Sequence, residues 1–236
     1  SRVVSGMGAP RCGHGCNRAP VPYAVHIGPV DPVPALRRIP DPMAALRRQR
    51  AEEERKRKQQ KAREKAAFIM NNAVKGAHPY LERKGFNCKG YVWNGLLVLP
   101  MRVGDSLVGC QLIGEDGTKR FLSGQITKGA TLKIDNHGRD IVCEGFATGL
   151  SVRNAMRVLR KRYTIHICFS AGNMIEVAQR LRNPLVIADN DASGTGQRAA
   201  KKIASRYWLG EAGEDFNDAE QRLGTAGVAE TLRPFI

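Results

Sequence analysis

Five carboxylates stand where a chain that alternates strands and helices places its functional side chains. They fall into three groups: Glu144, then Asp189 with Asp191, then Asp215 with Asp218. The first two groups directly follow the apolar runs 141–143 and 185–188, and the third precedes the last predicted helix. Clustered carboxylates repel one another unless a hard divalent cation neutralises them, and carboxylate oxygens are ligands that Mg²⁺ selects. The spacing therefore predicts a Mg²⁺ site.

A simpler interpretation of the second group is a helix cap and turn formed by Asp189, Asp191 and Gly194, because Asp is a preferred capping residue. Alternate residues of an extended segment share a face, so Asp189 and Asp191 are expected to point into one cleft. The presence of Glu144-Gly145 and Asp189-x-Asp191, each at the end of an apolar strand, favours the metal site.

From residue 140 onward, apolar runs alternate with helical patterns. The predicted order is strand 141–143, helix 149–162, strand 164–169, helix 173–182, strand 185–188 and helix 194–207. This alternation favours a parallel sheet with helical crossovers, in which ligands bind beyond the carboxyl ends of the strands. Between residues 76 and 138 the apolar runs are shorter and are separated by Gly, Asn and Asp, which predicts a small antiparallel sheet. Its strands are expected at 96–99, 107–113, 120–122 and 131–134, with a hairpin turn at 115–117.

The motif Glu144-Gly-Phe-Ala-Thr-Gly149 resembles the Glu-Gly-Tyr-Ala-Thr-Gly motif of plasmid- and phage-type DNA primases, and Asp189-x-Asp191 follows it as in the toprim fold. Further matches, in the order of that family, are His78-Pro-Tyr-Leu-Glu-Arg-Lys-Gly85, Gly117-Thr-Lys-Arg-Phe-Leu-Ser-Gly124, Ala171-Gly-Asn173 and Asp215-Phe-Asn-Asp218. The resemblance covers roughly residues 76–224. It implies nucleotidyl transfer that depends on Mg²⁺ or Mn²⁺.

The resemblance also implies roles for the acidic residues. Asp189 and Asp191 would hold the metal, and Glu144 would be a further ligand or an acid/base group. Asp215 and Asp218 are candidates for a second metal, and a helix cap at Asp215 is an equal alternative.

Other residues of these motifs are expected to bind nucleotide or DNA. Gly145 and Gly149 would allow a close turn at a helix N-terminus, where Thr148 and free amides meet phosphate. The remaining candidates for this role are the basic residues Arg83, Lys84, Lys119 and Arg120, together with Asn173. For any single basic residue, an ordinary solvated position is the alternative. Helix capping alone would explain Asn173, and His78 could contact nucleic acid or only shape a turn before Pro79.

The positive charge of the chain is concentrated in its first part. The protein has 236 residues and a formal net charge of +16, and the segment Arg37–Lys65 holds 12 basic and 5 acidic residues. Residues 43–74 contain neither Gly nor Pro, so a long helix that starts near Asp41 is predicted, with an apolar stripe only at Ala62, Ala66, Ile69 and Ala73. This segment is typical of a polyanion binder, although a solvated spacer remains an alternative. It lacks the apolar face that membrane binding needs.

The first 35 residues are rich in Pro and Gly and are predicted to form an extended leader. Cys12 and Cys16 bracket His14, and His26 is a candidate third zinc ligand, but no convincing fourth ligand follows. A leader without Zn²⁺ is therefore favoured over a zinc-binding remnant. Three other cysteines (Cys110, Cys143 and Cys168) lie in apolar runs and are expected to be reduced core residues. Core positions are also expected for Phe68, Phe121, Trp93 and Trp208.

These observations predict an α/β protein. It would have a leader (1–35), a basic helix (36–76), a small, mostly antiparallel β-rich subdomain (77–138) and a toprim-type parallel sheet flanked by helices (139–236). We expect a cytoplasmic DNA primase core that binds single-stranded DNA and ribonucleoside triphosphates, with a replicative helicase as a further candidate partner and no membrane contact. The alternatives are a metal-dependent toprim nuclease and a non-catalytic nucleic-acid-binding protein.

Overall fold

The computed structural model describes residues 41, 43–204 and 206–236, and within it Met43–Ile236 forms one compact unit. The predicted zinc candidates Cys12, His14, Cys16 and His26 and the leader lie outside the described residues. The elements are α1 (Ala44–Asn72), β1 (Val74–Gly76), α2 (Pro79–Arg83), β2 (Gly90–Trp93), β3 (Leu96–Val103), β4 (Ser106–Ile113), β5 (Lys119–Phe121), β6 (Leu132–Asp135), β7 (Arg139–Cys143), α3 (Phe146–Val158), β8 (Tyr163–Ile167), α4 (Ala171–Ala178), β9 (Leu185–Ala188), α5 (Thr195–Ile203), β10 (Trp208–Leu209), α6 (Phe216–Leu232) and a final 3₁₀ turn, Arg233–Phe235.

Helix α1 confirms the predicted long helix, although it begins at Ala44, with Met43 at its N-cap position, rather than near Asp41. Ion pairs one turn apart, such as Arg57 with Glu54 at 2.8 Å, occur along its exposed part. Its buried residues, Ala62, Ala66 and Ile69, lie in its last three turns, as the apolar stripe predicted.

The first sheet is antiparallel, with strand order β1-β2-β3-β4-β5. Its β2–β3 hairpin turns at Asn94-Gly95, where both residues have positive φ (48° and 72°), as a type I′ turn requires. The predicted hairpin turn at 115–117 joins β4 to β5 and is confirmed.

The two faces of this sheet are both covered. On one face, Val98, Cys110 and Leu122 pack against the buried residues of α1. On the other face, strand residues such as Leu97 and Ile113 pack against α2 and against Ala147 and Leu150 of α3. The first sheet is therefore attached to the second half of the chain through α3.

The second sheet has strand order β10-β9-β7-β8-β6, and all its neighbours are parallel except β6, which is antiparallel to β8. Helices α3 and α6 supply the core of one face, and α4 and α5 that of the other. The predicted α/β architecture is confirmed, including the parallel sheet flanked by helices. One strand assignment was wrong: the run 131–134 forms β6 of this second sheet and does not belong to the small antiparallel sheet.

Two further expectations about the core are resolved. Cys110, Cys143 and Cys168 are free, buried thiols, as predicted. Trp208 is buried and Trp93 partly buried, but the prediction that Phe68 and Phe121 are core residues was wrong, because 60% and 45% of their surfaces are exposed.

Among the described residues, no helix has the length and apolar character needed to cross a bilayer.

The contrast between two neighbouring residues of α1 tests this packing. Ile69 is fully buried against the first sheet, whereas Phe68 is exposed. Ile69→Ala should lower the free energy of unfolding by about 2–4 kcal/mol, because it leaves a cavity. The matched change Phe68→Ala should cost no more than about 0.5 kcal/mol. Urea denaturation measures both values, and equal losses would contradict the described orientation of α1.

Candidate active site

Glu144 and Asp189 meet at the carboxyl edge of the second sheet. Strand β7 pairs in parallel with β9, and each of the two residues is the first after its strand. Their side chains line one cavity of about 320 Å³, together with Asp215 at the start of α6. Each of the three predicted acidic groups therefore contributes one residue to the lining of this cavity.

Asp189 is the most perturbed carboxylate of this cavity. Its Oδ1 atom is buried and has no hydrogen-bond partner. Burial, together with the nearby negative charges of Asp215, Glu144 and Asp191, raises the pKa of Asp189 to about 7, although the charge of Lys119 opposes this rise. A buried acceptor without a donor is costly in a folded protein, so this oxygen is suited to a ligand that carries positive charge.

Glu144 has the same character to a smaller degree. Burial and the neighbouring Asp191 raise its pKa, while Lys119 and the backbone N–H of Ala171 oppose that rise. Two half-buried carboxylates with raised pKa values thus share one cavity. Burial and neighbouring negative charge both favour the protonated form of these carboxylates when no cation is present.

Asp191 also has the structural role that the cap interpretation gave it. Its Oδ1 accepts hydrogen bonds from Ser193 Oγ (2.6 Å) and from the backbone N–H of Gly194 (3.0 Å). These bonds, with the Ser193 hydroxyl first, lower its pKa. Asp191 is exposed and does not line the cavity, although its charge acts on Glu144 and Asp189.

Asp215 and Asp218 form a capping box at the start of α6. The backbone N–H of Asp218 donates to Asp215 Oδ1 (2.9 Å), and that of Asp215 donates to Asp218 Oδ2 (3.2 Å). Asp218 also pairs with Lys84 at 3.4 Å. The capping alternative is therefore present in the structure. Of the two residues only Asp215 lines the cavity.

The donor set fits a hard divalent cation, on the grounds of the unpartnered Oδ1 of Asp189 and the carboxylates around it. Within the described part of the chain, however, no three Asp, Glu, His or Cys residues converge closely enough to form a complete metal site. Glu144 and Asp189 are the residues that would hold Mg²⁺ or Mn²⁺, with Asp191 or Asp215 as neighbours that add negative charge.

Three basic residues, Arg83, Lys84 and Lys119, line the same cavity as these carboxylates and are called the basic rim. Arg83 and Lys84 come from the end of α2, and Lys119 opens β5. The predicted candidate Arg120 follows Lys119 on the strand, so its side chain points to the other face, and it does not line the cavity. Three of the four predicted basic residues are thus brought together.

The glycine-rich motif after β7 divides between the cavity and the core. Gly145 and Thr148 line the cavity. Gly149 does not: it is buried, and a Cβ atom there would lie 2.7 Å from the Ile167 side chain. The lack of a side chain at Gly149 allows α3 to approach β8, and its predicted role in phosphate binding stays a prediction.

Asn173 and His78 hold the backbone in place. Asn173 is buried; its Oδ1 accepts from the Gly129 N–H (2.6 Å), and its Nδ2 donates to the carbonyls of Ala130 and Cys168. These bonds give Asn173 a structural role, and its predicted role in nucleotide or DNA binding stays a prediction. Ser170, not Asn173, caps α4. Buried His78 caps α2 through Nδ1, and its Nε2 bonds the Gly95 carbonyl at 3.1 Å.

Sequence reasoning missed residues that complete or support this site. Asn217 is fully buried, and its amide donates to the Lys84 carbonyl and to Ser151 Oγ, both at 3.0 Å. It therefore fixes the end of α2, where the basic rim begins. Asp116 and Tyr80 also line the cavity. The motifs containing these residues were visible in the sequence, but nothing in it separated the residues that contact the cavity from those that support it.

A second, larger cavity of about 510 Å³ lies at the amino ends of β7 and β9. It is lined by residues such as Arg139, Asn183 and Arg206, and its lining in the described chain includes no carboxylate. Because ligands of open α/β sheets bind beyond the carboxyl ends of strands, the smaller acidic cavity is the better candidate for the active site.

Comparison with known proteins gives one match. Residues 139–226 match the family model described as Toprim domain. No curated protein and no solved structure matches the chain significantly. The match supports a toprim-containing protein, a fold associated with metal-dependent processing of nucleic acids, and it covers Glu144, Asp189 and Asp191.

The raised pKa of Asp189 predicts a specific dependence of stability on pH. Between pH 4 and 7 the folded protein holds a proton that the unfolded chain releases, so without metal its stability should fall as the pH rises through this window. Asp189→Asn cannot ionise. At pH 8 in chelator it should be more stable than the parent protein by on the order of 1–3 kcal/mol, and at pH 4 the difference should vanish.

Thermal unfolding at both pH values measures this difference, and Asp105→Asn in an exposed turn is the matched control. At pH 8, Mn²⁺ should raise the midpoint of the parent protein and of the control but not that of Asp189→Asn. If Asp189→Asn melts below the parent protein in chelator at pH 8, Asp189 is a structural residue and the cation site is wrong.

Proposed function

We propose that this chain is a DNA primase core, which synthesises short RNA primers on single-stranded DNA by divalent-metal-dependent nucleotidyl transfer. The observation that carries the proposal is the pairing of two opposite sets of charges in one cavity. Glu144 and Asp189 line this cavity together with Arg83, Lys84 and Lys119. The resemblance of the motifs to those of plasmid- and phage-type primases supports the same proposal.

The basic rim favours nucleotidyl transfer over simple hydrolysis. A nucleoside triphosphate carries several negative charges, and the acidic residues would repel it unless cations faced them. Arg83, Lys84 and Lys119 supply those cations from the first sheet and α2. A nuclease acts on a phosphodiester and needs no separate triphosphate site, so a rim of this kind has a clearer purpose in a primase.

The residues of the chain divide the remaining work. Glu144, whose pKa is raised by burial and by the charge of Asp191, is a stronger proton acceptor than an ordinary carboxylate and can accept the proton of the primer 3′-hydroxyl. Asp189 holds the negative charge that the cation requires, and the basic rim orients the triphosphate. When bound, Mg²⁺ or Mn²⁺ would neutralise charge on the phosphates and promote loss of the hydroxyl proton. Single-stranded DNA and ribonucleoside triphosphates are the proposed partners.

The proposal is tested by incubating the purified protein with single-stranded DNA, labelled ribonucleotides and Mg²⁺ or Mn²⁺. Short labelled RNA products support primase activity. Cleavage of the DNA without nucleotides would replace the proposal with a nuclease, and DNA binding without either reaction would replace it with a non-catalytic binding protein.

Glu144→Gln and Asp189→Asn should each reduce primer synthesis by at least about 100-fold, because each removes a charge that the reaction needs. Calorimetric Mn²⁺ titration separates their roles: affinity should fall more in Asp189→Asn than in Glu144→Gln. Asp105→Asn is the control and should retain full activity. Normal turnover in Glu144→Gln would exclude this residue from the reaction.

Helix α1 is proposed to add affinity for single-stranded DNA through charge. Its exposed part carries basic residues without a continuous apolar face, as the sequence predicted. A deletion of residues 1–65 would not test this cleanly, because it removes buried Ala62 from the contact with the first sheet. Substitutions at exposed positions leave that contact intact.

The triple variant Lys61→Gln, Arg63→Gln, Lys65→Gln should keep the fold, because all three residues are exposed and Gln is a good helix former. Its plot of log affinity against log salt should be shallower by about 0.7 per lost phosphate contact. A control with Lys161, Lys201 and Lys202 changed to Gln removes the same charge from exposed positions of the second half. Identical slopes for the two variants would leave α1 as a solvated spacer.

A further inference from the structure

We propose that Phe121 forms a stacking platform for an unpaired nucleobase at the edge of the acidic cavity. The inference rests on the proposed function and extends it, because it assigns a contact to the base rather than to the phosphates or the metal. The ligand is a nucleotide unit, and its source is either the incoming ribonucleoside triphosphate or the single-stranded template.

Phe121 is an exposed aromatic residue on an edge strand. It lies at the end of β5, and 45% of its surface is accessible. Pairing with β4 places Phe121 opposite Gln111 and Lys119 opposite Ile113. Phe121 and Lys119 are two residues apart, so both project from the face of the sheet that carries Ile113. Because this face packs against α3, Phe121 faces the second half of the chain.

The spacing along β5 suits a nucleotide. Residues two apart on a strand are separated by about 7 Å, and Lys119 lines the cavity with the carboxylates. If the phosphate of a nucleotide binds near Lys119, its sugar and base would extend about 7 Å along β5 and reach the ring of Phe121. Stacking of a base on an aromatic ring tolerates every base, because each base has a π-face.

The ring of Phe121 packs against a second aromatic ring. Phe169 contacts it edge-on, with ring centroids 6.3 Å apart and planes at 82°. Phe169 has a positive φ of 67°, a conformation that is rare for a bulky residue and is found at functional sites. Its backbone N–H donates to the Glu144 carbonyl at 2.9 Å. The aromatic pair is therefore anchored to the loop that carries a proposed catalytic residue.

Exposure alone would not carry this inference, because isolated exposed apolar residues are common on protein surfaces. Phe68 provides the comparison. It is more exposed than Phe121, at 60%, but it lies on α1, which supplies no residue to the lining of the cavity, whereas β5 supplies Lys119. Phe121 differs in its strand position beside Lys119 and in its ring contact with Phe169.

The test measures equilibrium binding with ligands that do or do not carry a base. For the triphosphate source, ATP is compared with inorganic tripolyphosphate, both with Mg²⁺. For the template source, an oligothymidylate is compared with an abasic oligonucleotide of the same length. The variants are Phe121→Leu, Phe121→Trp and, as matched control, Phe68→Leu. Thermal unfolding verifies that each variant is folded.

Phe121→Leu should weaken binding of ATP, of the oligothymidylate or of both by about tenfold, while binding of the matched ligand without a base is unchanged. Phe121→Trp should retain or improve binding, and Phe68→Leu should change nothing. Loss with ATP alone assigns the base to the triphosphate, loss with the oligothymidylate alone assigns it to the template, and loss with both assigns stacking in each state.

Two outcomes would overturn the inference. The first is unchanged binding of both base-containing ligands by Phe121→Leu. The second is an equal loss for ligands with and without a base, which would show a change in charge or structure rather than in stacking. In both cases the parent protein still binds nucleotide, so the proposed function stands. If the parent protein binds none of the ligands, the proposed function itself fails.

Discussion

Negative charge held partly out of water at the carboxyl edge of the second sheet is the interaction on which the site depends. Asp189 and Glu144 each follow a buried strand, so their positions are fixed by the core beneath them. Burial and repulsion from neighbouring carboxylates raise the pKa of both groups, and one oxygen of Asp189 has no hydrogen-bond donor. Such an arrangement is stable only with a proton or a cation, which is why a purely structural role explains it poorly.

The cations that face this charge come from outside the second sheet. Lys119 belongs to β5 of the first sheet, and its positive charge opposes the rise in the pKa of Asp189 and of Glu144. Lys84 follows α2, and buried Asn217 at the start of α6 fixes its carbonyl. Phe216, also fully buried, packs on Trp208 with ring centroids 4.6 Å apart. The motif Asp215-Phe-Asn-Asp218 therefore joins the two halves and sets the distance between opposite charges.

The sequence predicted the features that depend on local patterns. Alternating apolar runs and helical segments gave the order of strands and helices from 140 onward, and the positions of Glu144 and Asp189 followed from that order. Features that depend on distant pairing were harder. Strand β6 pairs with β8, about 30 residues later, and no local pattern distinguishes that partner from β5. The exposure of Phe121 and the bonds of Asn173 likewise depend on neighbours that only the folded chain brings together.

The division of charges between two sheets has a consequence for how the site works. Neither half is complete alone, because Glu144 and Asp189 follow strands of the second sheet, whereas the basic rim comes from the first sheet and α2. A bound nucleotide would touch both halves and would neutralise charge on each, so its binding should tighten the joint that α3 and Asn217 already form. The small antiparallel sheet is then part of the active site, and its edge strand β5 carries both the nearest cation, Lys119, and the exposed ring of Phe121.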